Sequence, residues 1–467
     1  MPKDTPETPS RPSDASRRLE QRRKKRAQRV ERREDDSAPK RRRATGRKRS
    51  FSLPDDEEAA QPRRRKSAGG PKPEQTPIEF EPGSLDEGAE KVVRRLTRAG
   101  HEAYLVGGCV RDLLVGKQPK DFDVATDARP EEVRSLFRNS RIIGRRFRLV
   151  HVLFPHGHII ETATFRRNPP ASGDKQDDSL LITSDNAFGD AHEDANRRDF
   201  TINGLFYDLE TNTVLDWVGG MKHVRERSIE TIGDPVVRFL EDPVRILRAV
   251  KFAARLDFGI APHVYDAAVQ CRGALAMAAR PRLSEEVLRL MRGGAAHRSI
   301  WLLYEMGLLD VLIPELSAYV SDAPDDSVVW GLLTEVDKMT ESDGQPPDDI
   351  VLWSALLLEP LLEACDSAGD RMKAANEFLE PIVERLNLPR RSSDAVRRIV
   401  AMLPRLSQGK ASRLKKNVLY PSALDVLSLR RRASGGDDGL LASPAPRRES
   451  KRRRPKAAKP TTSNTND

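Results

Sequence analysis

The chain has 467 residues, 37% of them hydrophobic and 33% charged, enough for two or three domains but too polar for its whole length to pack into a core. Its net charge of +10 sits at the ends: residues 1–77 carry 24 Lys/Arg against 13 Asp/Glu and residues 429–467 carry 11 against 4, so the middle is net acidic. No run approaches the roughly 18 apolar residues of a membrane span, no apolar signal region opens the chain, and Cys109, Cys271 and Cys365 show neither zinc-site spacing nor a disulfide framework; the expectation is a soluble protein of the reducing cytoplasm.

Residues 1–84 are expected to form a disordered basic extension and residues 433–467 a disordered Arg/Lys-rich tail, since runs such as "RRKKRAQR", "KRRRATGRKR" and "KRRRPKAAKP" offer almost no apolar surface to bury. Charge this dense favours polyanion binding by counterion release. Order begins near Leu85, where "SLDEGAEKVVRRLTRAG" predicts a helix with Ser84 as cap and Gly100 as stop. Then "AYLVGG" predicts a buried strand, "CVRDLLVG" a brief helix, "DFDVAT" a second strand and "PEEVRSLFRN" a helix opened by Pro130. The alternating segments "FRLVHVLF" and "HIIETATF" around "PHG" predict an antiparallel hairpin, followed by a polar loop from Arg166 to about Asp190 and by a further helix and strand in "EDANRRDFTINGLFYDL". Beyond Pro235 helical periods take over entirely. The predicted architecture is an α/β (α+β) domain over residues 85–234, an all-α segment over 235–320 and a second helical domain over 321–432.

The chemistry centres on Asp121 and Asp123 in "KDFDVAT". Two apart on a strand, their carboxylates emerge on one face while Phe122 points to the core, a geometry suited to hard divalent cations, most simply two Mg²⁺, with Mn²⁺ as an alternative. Just upstream, Gly107 and Gly108 lie at a strand-to-helix turn where backbone N–H groups approach a triphosphate, with Arg111 one turn on beside the same phosphates. Glu161, a charge in an otherwise apolar hairpin strand, needs a partner and is the third candidate metal ligand; an arginine salt bridge is the competing reading.

In order and spacing, "LVGGCVRDLL…DFDVAT", "RRDFTINGL" and "GDPVVRFLEDPVRILRAVKFAARL" resemble the class II branch of the polymerase-beta-like nucleotidyltransferases, which holds bacterial poly(A) polymerases and CCA-adding enzymes, over about residues 85–430. The resemblance implies a nucleotidyltransferase head, a helical neck with a base-recognition motif and a helical RNA-binding body. It implies that Asp121 and Asp123 hold metals, that Arg197, Arg198 and Asp199 surround the ribose and phosphates with Asp199 a further catalytic residue, and that Asp242 and Arg245 share a base edge, with Pro243 at the first helical position and Asp242 as its cap. Such a pair suits adenine or cytosine and mismatches uracil and guanine.

The segment "RIIGRRFRLVHVLF", with Arg145, Arg146 and Arg148, and the basic tail are similar to the poly(A) polymerase subgroup. The expected reaction is therefore template-independent transfer of AMP from ATP to RNA 3′ ends with release of pyrophosphate, serving polyadenylation and turnover. CCA addition to transfer RNA, and a non-catalytic RNA-binding scaffold, are the alternatives. The body would hold the RNA backbone through basic pieces including Arg390 and Arg391, and the tails are candidate docking segments for a helicase, nuclease or RNA chaperone. Gly204 in "TINGL" departs from the Ala or Ser common in the family.

Overall fold

The computed structural model describes residues 70–144, 148–167, 187–325 and 327–435. The basic runs of residues 1–69 and 436–467, Arg145 and Arg146, and most of the polar loop after the hairpin lie outside them. Within the described part, ten strands precede or enter the helical half: β1 (Glu74–Pro77), β2 (Ala103–Val106), β3 (Asp123–Thr126), β4 (Ser140–Ile143), β5 (Leu149–Leu153), β6 (Ile159–Thr164), β7 (Leu205–Asp208), β8 (Thr213–Asp216), β9 (Ser228–Ile229) and β10 (Gly259–Ile260). The first eight form one sheet in the order β1-β8-β7-β2-β3-β6-β5-β4. Every neighbour is antiparallel except β3 and β6, which run parallel.

The first helix, α1 (Glu87–Arg98), shows why the elements form where they do. Ala89, Val92, Val93 and Leu96 bury one stripe, acids occupy the first turn and Arg95 and Arg98 the last, and the N-cap side chain accepts from the Ala89 N–H. That cap is Asp86, not the expected Ser84, whose hydroxyl instead donates to the Glu81 carbonyl. The segment assigned to the disordered extension also contains β1, which zips onto β8 as an edge strand and is blunted by Pro77. The predicted hairpin is β5–β6, whereas the edge strand β4 beside it is an addition to the expected elements, since its sequence Ser-Arg-Ile-Ile carries no polar/apolar alternation.

Alternation sorts the sheet into two faces. Leu105, Val124, Val150, Ile160, Tyr207 and Val214 face the larger core, which α1 covers, while Val106, Ala125, Phe206 and Leu215 face a smaller cluster closed by Ala191 and Ala195 of α2 (Ala191–Asn196). Past Pro235 the regular elements among the described residues are helices except for the two-residue β10, which returns to pair with β9. Helix α3 (Val244–Leu256) joins the two halves: Ile246, Leu247 and Val250 enter the helical core, whereas Ala249, Phe252, Ala253 and Leu256 enter the sheet core. Deep in the helical half, α4 (Asp349–Asp366) is apolar on all sides and buried from Val351 to Leu362, as a helix surrounded by helices must be. Among the described residues no helix is long and apolar enough to cross a membrane.

Candidate active site

Strand register assembles the carboxylates. Asp123 opens β3 opposite Val106 of β2, and parallel β6 sets Glu161 directly beside it, one strand spacing of about 4.8 Å away. Asp121 lies two residues before the start of the strand rather than on it, correcting the expected strand boundary; Phe122, 8% exposed, packs in the core as expected. Although part of the Asp123 side chain is open to solvent, its carboxyl is pushed up to about 6 by desolvation and by the Glu161 and Asp121 charges, with Arg198 acting against them. Among the described residues Glu161 has no arginine partner: its Oε1 lies 3.3 Å from Nε2 of His151, the residue opposite it on β5. Among the described residues no three such side chains are drawn together tightly enough to chelate a metal by themselves. The three carboxylates form a row whose charges repel one another at Asp123.

The glycine turn sits at the same end of the sheet. Gly107 ends β2 with φ +74°, the left-handed region, and its N–H donates to the Leu205 carbonyl at 3.1 Å. A Cβ at this position would stand 2.8 Å from Nη1 of Arg198. Arg198 is held there by Asp194 at 2.9 Å and by the Asn203 carbonyl at 3.2 Å, with its guanidinium 5.1 Å over the Phe206 ring. Arg197 is bound by the same Asp194 at 2.9 Å. Against the desolvation of burial, Arg198 and Arg197 hold the Asp194 carboxyl below its ordinary range. Asp194 was not singled out from sequence; the i, i+3, i+4 spacing of "DANRR" was the available signal.

Two expectations change form. Arg111, expected at the phosphates, is 2% exposed and spent on Asp112 (2.9 and 2.6 Å) and Asn203 (2.5 Å), stacked 4.9 Å over Phe252. In this arrangement it braces the glycine turn through its internal partners. Asp199, expected to act at the ribose or a metal, has both oxygens engaged: one accepts from the Phe200 N–H (2.9 Å) and Asn203 (3.0 Å), the other from Arg248 Nε (2.6 Å). Burial works to raise its carboxyl, yet Arg248, Asn203 and the backbone hold it far below the ordinary range. Arg255 of the same helix binds Asp112 at 2.8 Å.

The base-recognition pair is also differently disposed. Pro243 caps α3 and Asp242 precedes it with extended φ −149°. Asp242 accepts a bidentate pair from Arg282 (3.0 and 2.9 Å), while Arg245 donates to Glu241 (2.9 Å) and the Arg238 carbonyl (3.0 Å). Arg238 in turn ties down the Arg197 and Arg198 carbonyls, linking this corner to the phosphate side. Gly204 has a packing reason: a Cβ there would lie 2.6 Å from Val218 Cγ2. Farther away, Arg148 is ion-paired with Glu131. Arg390 and Arg391 line an open cleft of about 590 Å³ with Arg397, floored by Leu379 and Val383, remote in the fold from the carboxylates.

Residues 103–230 match the family described as "Poly A polymerase head domain", and residues 257–320 match "Probable RNA and SrmB- binding site of polymerase A". Poly(A) polymerase I of Escherichia coli is 39% identical over 366 residues, 74% of this chain and 78% of that protein. The chain belongs to the poly(A) polymerase I family. It is a nucleotidyltransferase with poly(A) polymerase function, as the resemblance of its motifs implied. Poly(A) polymerase I of Haemophilus influenzae is 35% identical over 387 residues, covering 78% of this chain and 85% of that one. Among solved structures, the Bacillus stearothermophilus CCA-adding enzyme in complex with CTP superposes with a TM-score of 0.53 at 26% identity, over 77% of this chain and 80% of that one. The mixed sheet followed by helices is thus the fold that both enzyme types share.

Proposed function

We propose that the row Asp121, Asp123 and Glu161 is the metal-binding centre for in-line attack of an RNA 3′-hydroxyl on the α-phosphorus of ATP. The new bond joins the 3′-oxygen to that phosphorus, the bond to the β-phosphate oxygen breaks, and pyrophosphate leaves. The observation that carries the reading is the register of Asp123 with Glu161, two like charges on neighbouring strands with no arginine between them among the described residues, beside a glycine turn and Arg198. Hard oxygen ligands that repel one another fit Mg²⁺ or Mn²⁺, with phosphate oxygens completing the set; the chemistry such cations supply is a lowered pKa at the attacking hydroxyl and charge neutralisation on the departing pyrophosphate. Arg198 holds the phosphates against the Gly107 and Gly108 turn, and Arg197 lies beside it. Asp199 positions this segment by fixing it to Arg248.

Asp242 and Arg245 read the base, which requires the base edge to compete with Arg282 and Glu241. A ring nitrogen accepting from Arg245 and an exocyclic amine donating to Asp242 match adenine and cytosine alike. For that reason CCA addition is the second reading, permitted by this pair and favoured by the likeness in fold to the CCA-adding enzyme. Primer extension with each nucleotide offered separately with Mg²⁺ decides between them. Open-ended ATP addition to unrelated RNAs is expected; CTP incorporation into truncated transfer RNA that stops after three additions would overturn the ATP assignment. The helical half, with Arg390 and Arg391, holds the RNA backbone, and the cytoplasm is the proposed compartment. The basic tails are the proposed contact for an RNA helicase, nuclease or chaperone.

A further inference from the structure

One row of side chains runs from the carboxylates to the far edge of the sheet. Partners in register across neighbouring strands share a face, and Arg141 of β4 stands opposite His151 of β5, His151 opposite Glu161 of β6 and Glu161 opposite Asp123 of β3. Arg141 and Asp123 are thus three strand spacings, about 14 Å, apart. On the other side of Asp123 stand Val106 and the glycine turn with Arg198, the proposed phosphate site. Cover on this face is uneven. Ala191 and Ala195 of α2 pack with Ala125 of β3, Val106 of β2, Phe206 of β7 and Leu215 of β8. Over β4, β5 and β6 the same face stays open among the described residues, with Arg141 and Glu161 exposed and His151 half-buried between them. Ile143 and Ile159, each two positions from a member of the row and so on its face, are 42% and 43% exposed. Arg141 has no carboxylate partner among the described residues.

In-line displacement decides what this open third of the face can serve. The attacking oxygen reaches the α-phosphorus from the side opposite the departing pyrophosphate. With pyrophosphate at Gly107 and Arg198, on the β2 side of Asp123, the RNA 3′-hydroxyl arrives from the β6 side, across Glu161, His151 and Arg141. We propose that the open face of β4, β5 and β6 is the track for the last nucleotides of the RNA. Arg141 binds a backbone phosphate about four nucleotides from the 3′ end, at a stacked spacing of about 3.4 Å per nucleotide, and Ile143 and Ile159 give unpaired bases an apolar floor. The ligand is single-stranded RNA, positioned through its backbone without sequence preference. Both Arg141 and His151 belong to the segment "RIIGRRFRLVHVLF", which thereby acquires a task in the reaction. The inference rests on the carboxylate row being the site of addition and on the ATP phosphates lying at the glycine turn.

The test is ATP-dependent extension of two single-stranded RNA primers by the full-length protein and three variants. One primer of about 3 nucleotides ends before Arg141, and one of about 15 passes it. Arg141→Ala removes the phosphate contact and Arg141→Lys keeps the charge. Arg134→Ala removes an exposed charge from the helix Pro130–Leu136, whose Val133 packs on the opposite face of the sheet. Arg141→Ala is expected to lower kcat/KM for the long primer about ten-fold and its salt slope by about 0.7, with the short primer changed less than about two-fold and KM for ATP unaltered. Arg141→Lys should restore most of the loss, since a point charge still binds phosphate. Arg134→Ala should alter neither primer by more than about two-fold. Equal losses on both primers would assign Arg141 to the carboxylate row instead of the RNA and overturn the proposal. An unchanged long primer, or a raised KM for ATP, would do the same. If Arg134→Ala matched Arg141→Ala, bulk charge rather than a track would hold the RNA. Absence of ATP-dependent extension by the unsubstituted protein would instead defeat the assignment of the active centre.

Discussion

At the residue scale, the carboxylates trade stability for function. Asp123 has its carboxyl pushed up to about 6 from an ordinary 3.8, so the folded protein binds a proton more tightly than the unfolded chain does between those values. The penalty for ionisation is absent below 3.8, grows as pH rises to about 6 and is fully present above it. Asp123→Asn should therefore abolish nucleotide addition, by about a thousand-fold or more, while melting no lower than the parent at pH 7.5; that relative benefit should fade as pH falls through the same window. A variant that melts well below the parent at neutral pH would show that Asp123 is a structural anchor. Sequence pointed to Asp121, Asp123 and Glu161 because charge in apolar, strand-forming surroundings is conspicuous. The internal partners of Arg111 and Asp199 left no such mark, because a charged residue near a motif reads the same whether it faces a ligand or a buried partner: Arg111 bonds to Asp112 and Asn203, and Asp199 to Arg248.

At the element scale, the turn between β2 and the short helix that follows (Gly108–Leu114) depends on one backbone conformation. Gly107→Ala imposes a Cβ at φ +74° and within 2.8 Å of Arg198. We expect a stability loss of about 1–2 kcal/mol from the strained backbone and a rise in KM for ATP of about ten-fold as Arg198 is displaced, measured by thermal melts and steady-state kinetics. An unchanged KM for ATP would remove Arg198 from the phosphate site. Glycine at this position was legible from its place between a strand and a helix. The identity of the neighbour that makes it necessary was not, since Arg198 arrives from 91 positions along the chain. The same holds for Gly204, where Val218 explains a departure from the family pattern that sequence could only record. Helix α1 was legible almost residue by residue, its cap excepted, because Ser84 and Asp86 are equivalent candidates until the chain's path selects one.

At the scale of the molecule, α3 is shared by the sheet core and the helical core, and its Arg248 and Arg255 reach back to Asp199 and Asp112. Asp199→Asn keeps the shape but removes the charge that Arg248 requires, and should lower stability by about 2 kcal/mol. Because the carboxyl is held below its ordinary value, its contribution is present above 3.8 and is lost as pH falls beneath that value. The difference between parent and variant should accordingly stay constant across pH 5 to 8 and shrink only in stronger acid; a variant with parental stability at neutral pH would mean that this ion pair does not join the halves. By itself the sequence determined the order of elements, the strand-to-helix change near Pro235, the carboxylate motif and the family, because periodicity, turn residues and motif spacing are local properties. Only the tertiary structure decided that Glu161 stands beside Asp123, that Arg111, Asp199 and Asp242 have internal partners, and that β1 joins the sheet beside β8. Each of these depends on sheet register or on contacts between residues far apart in the chain, and chain connectivity leaves no local trace of either.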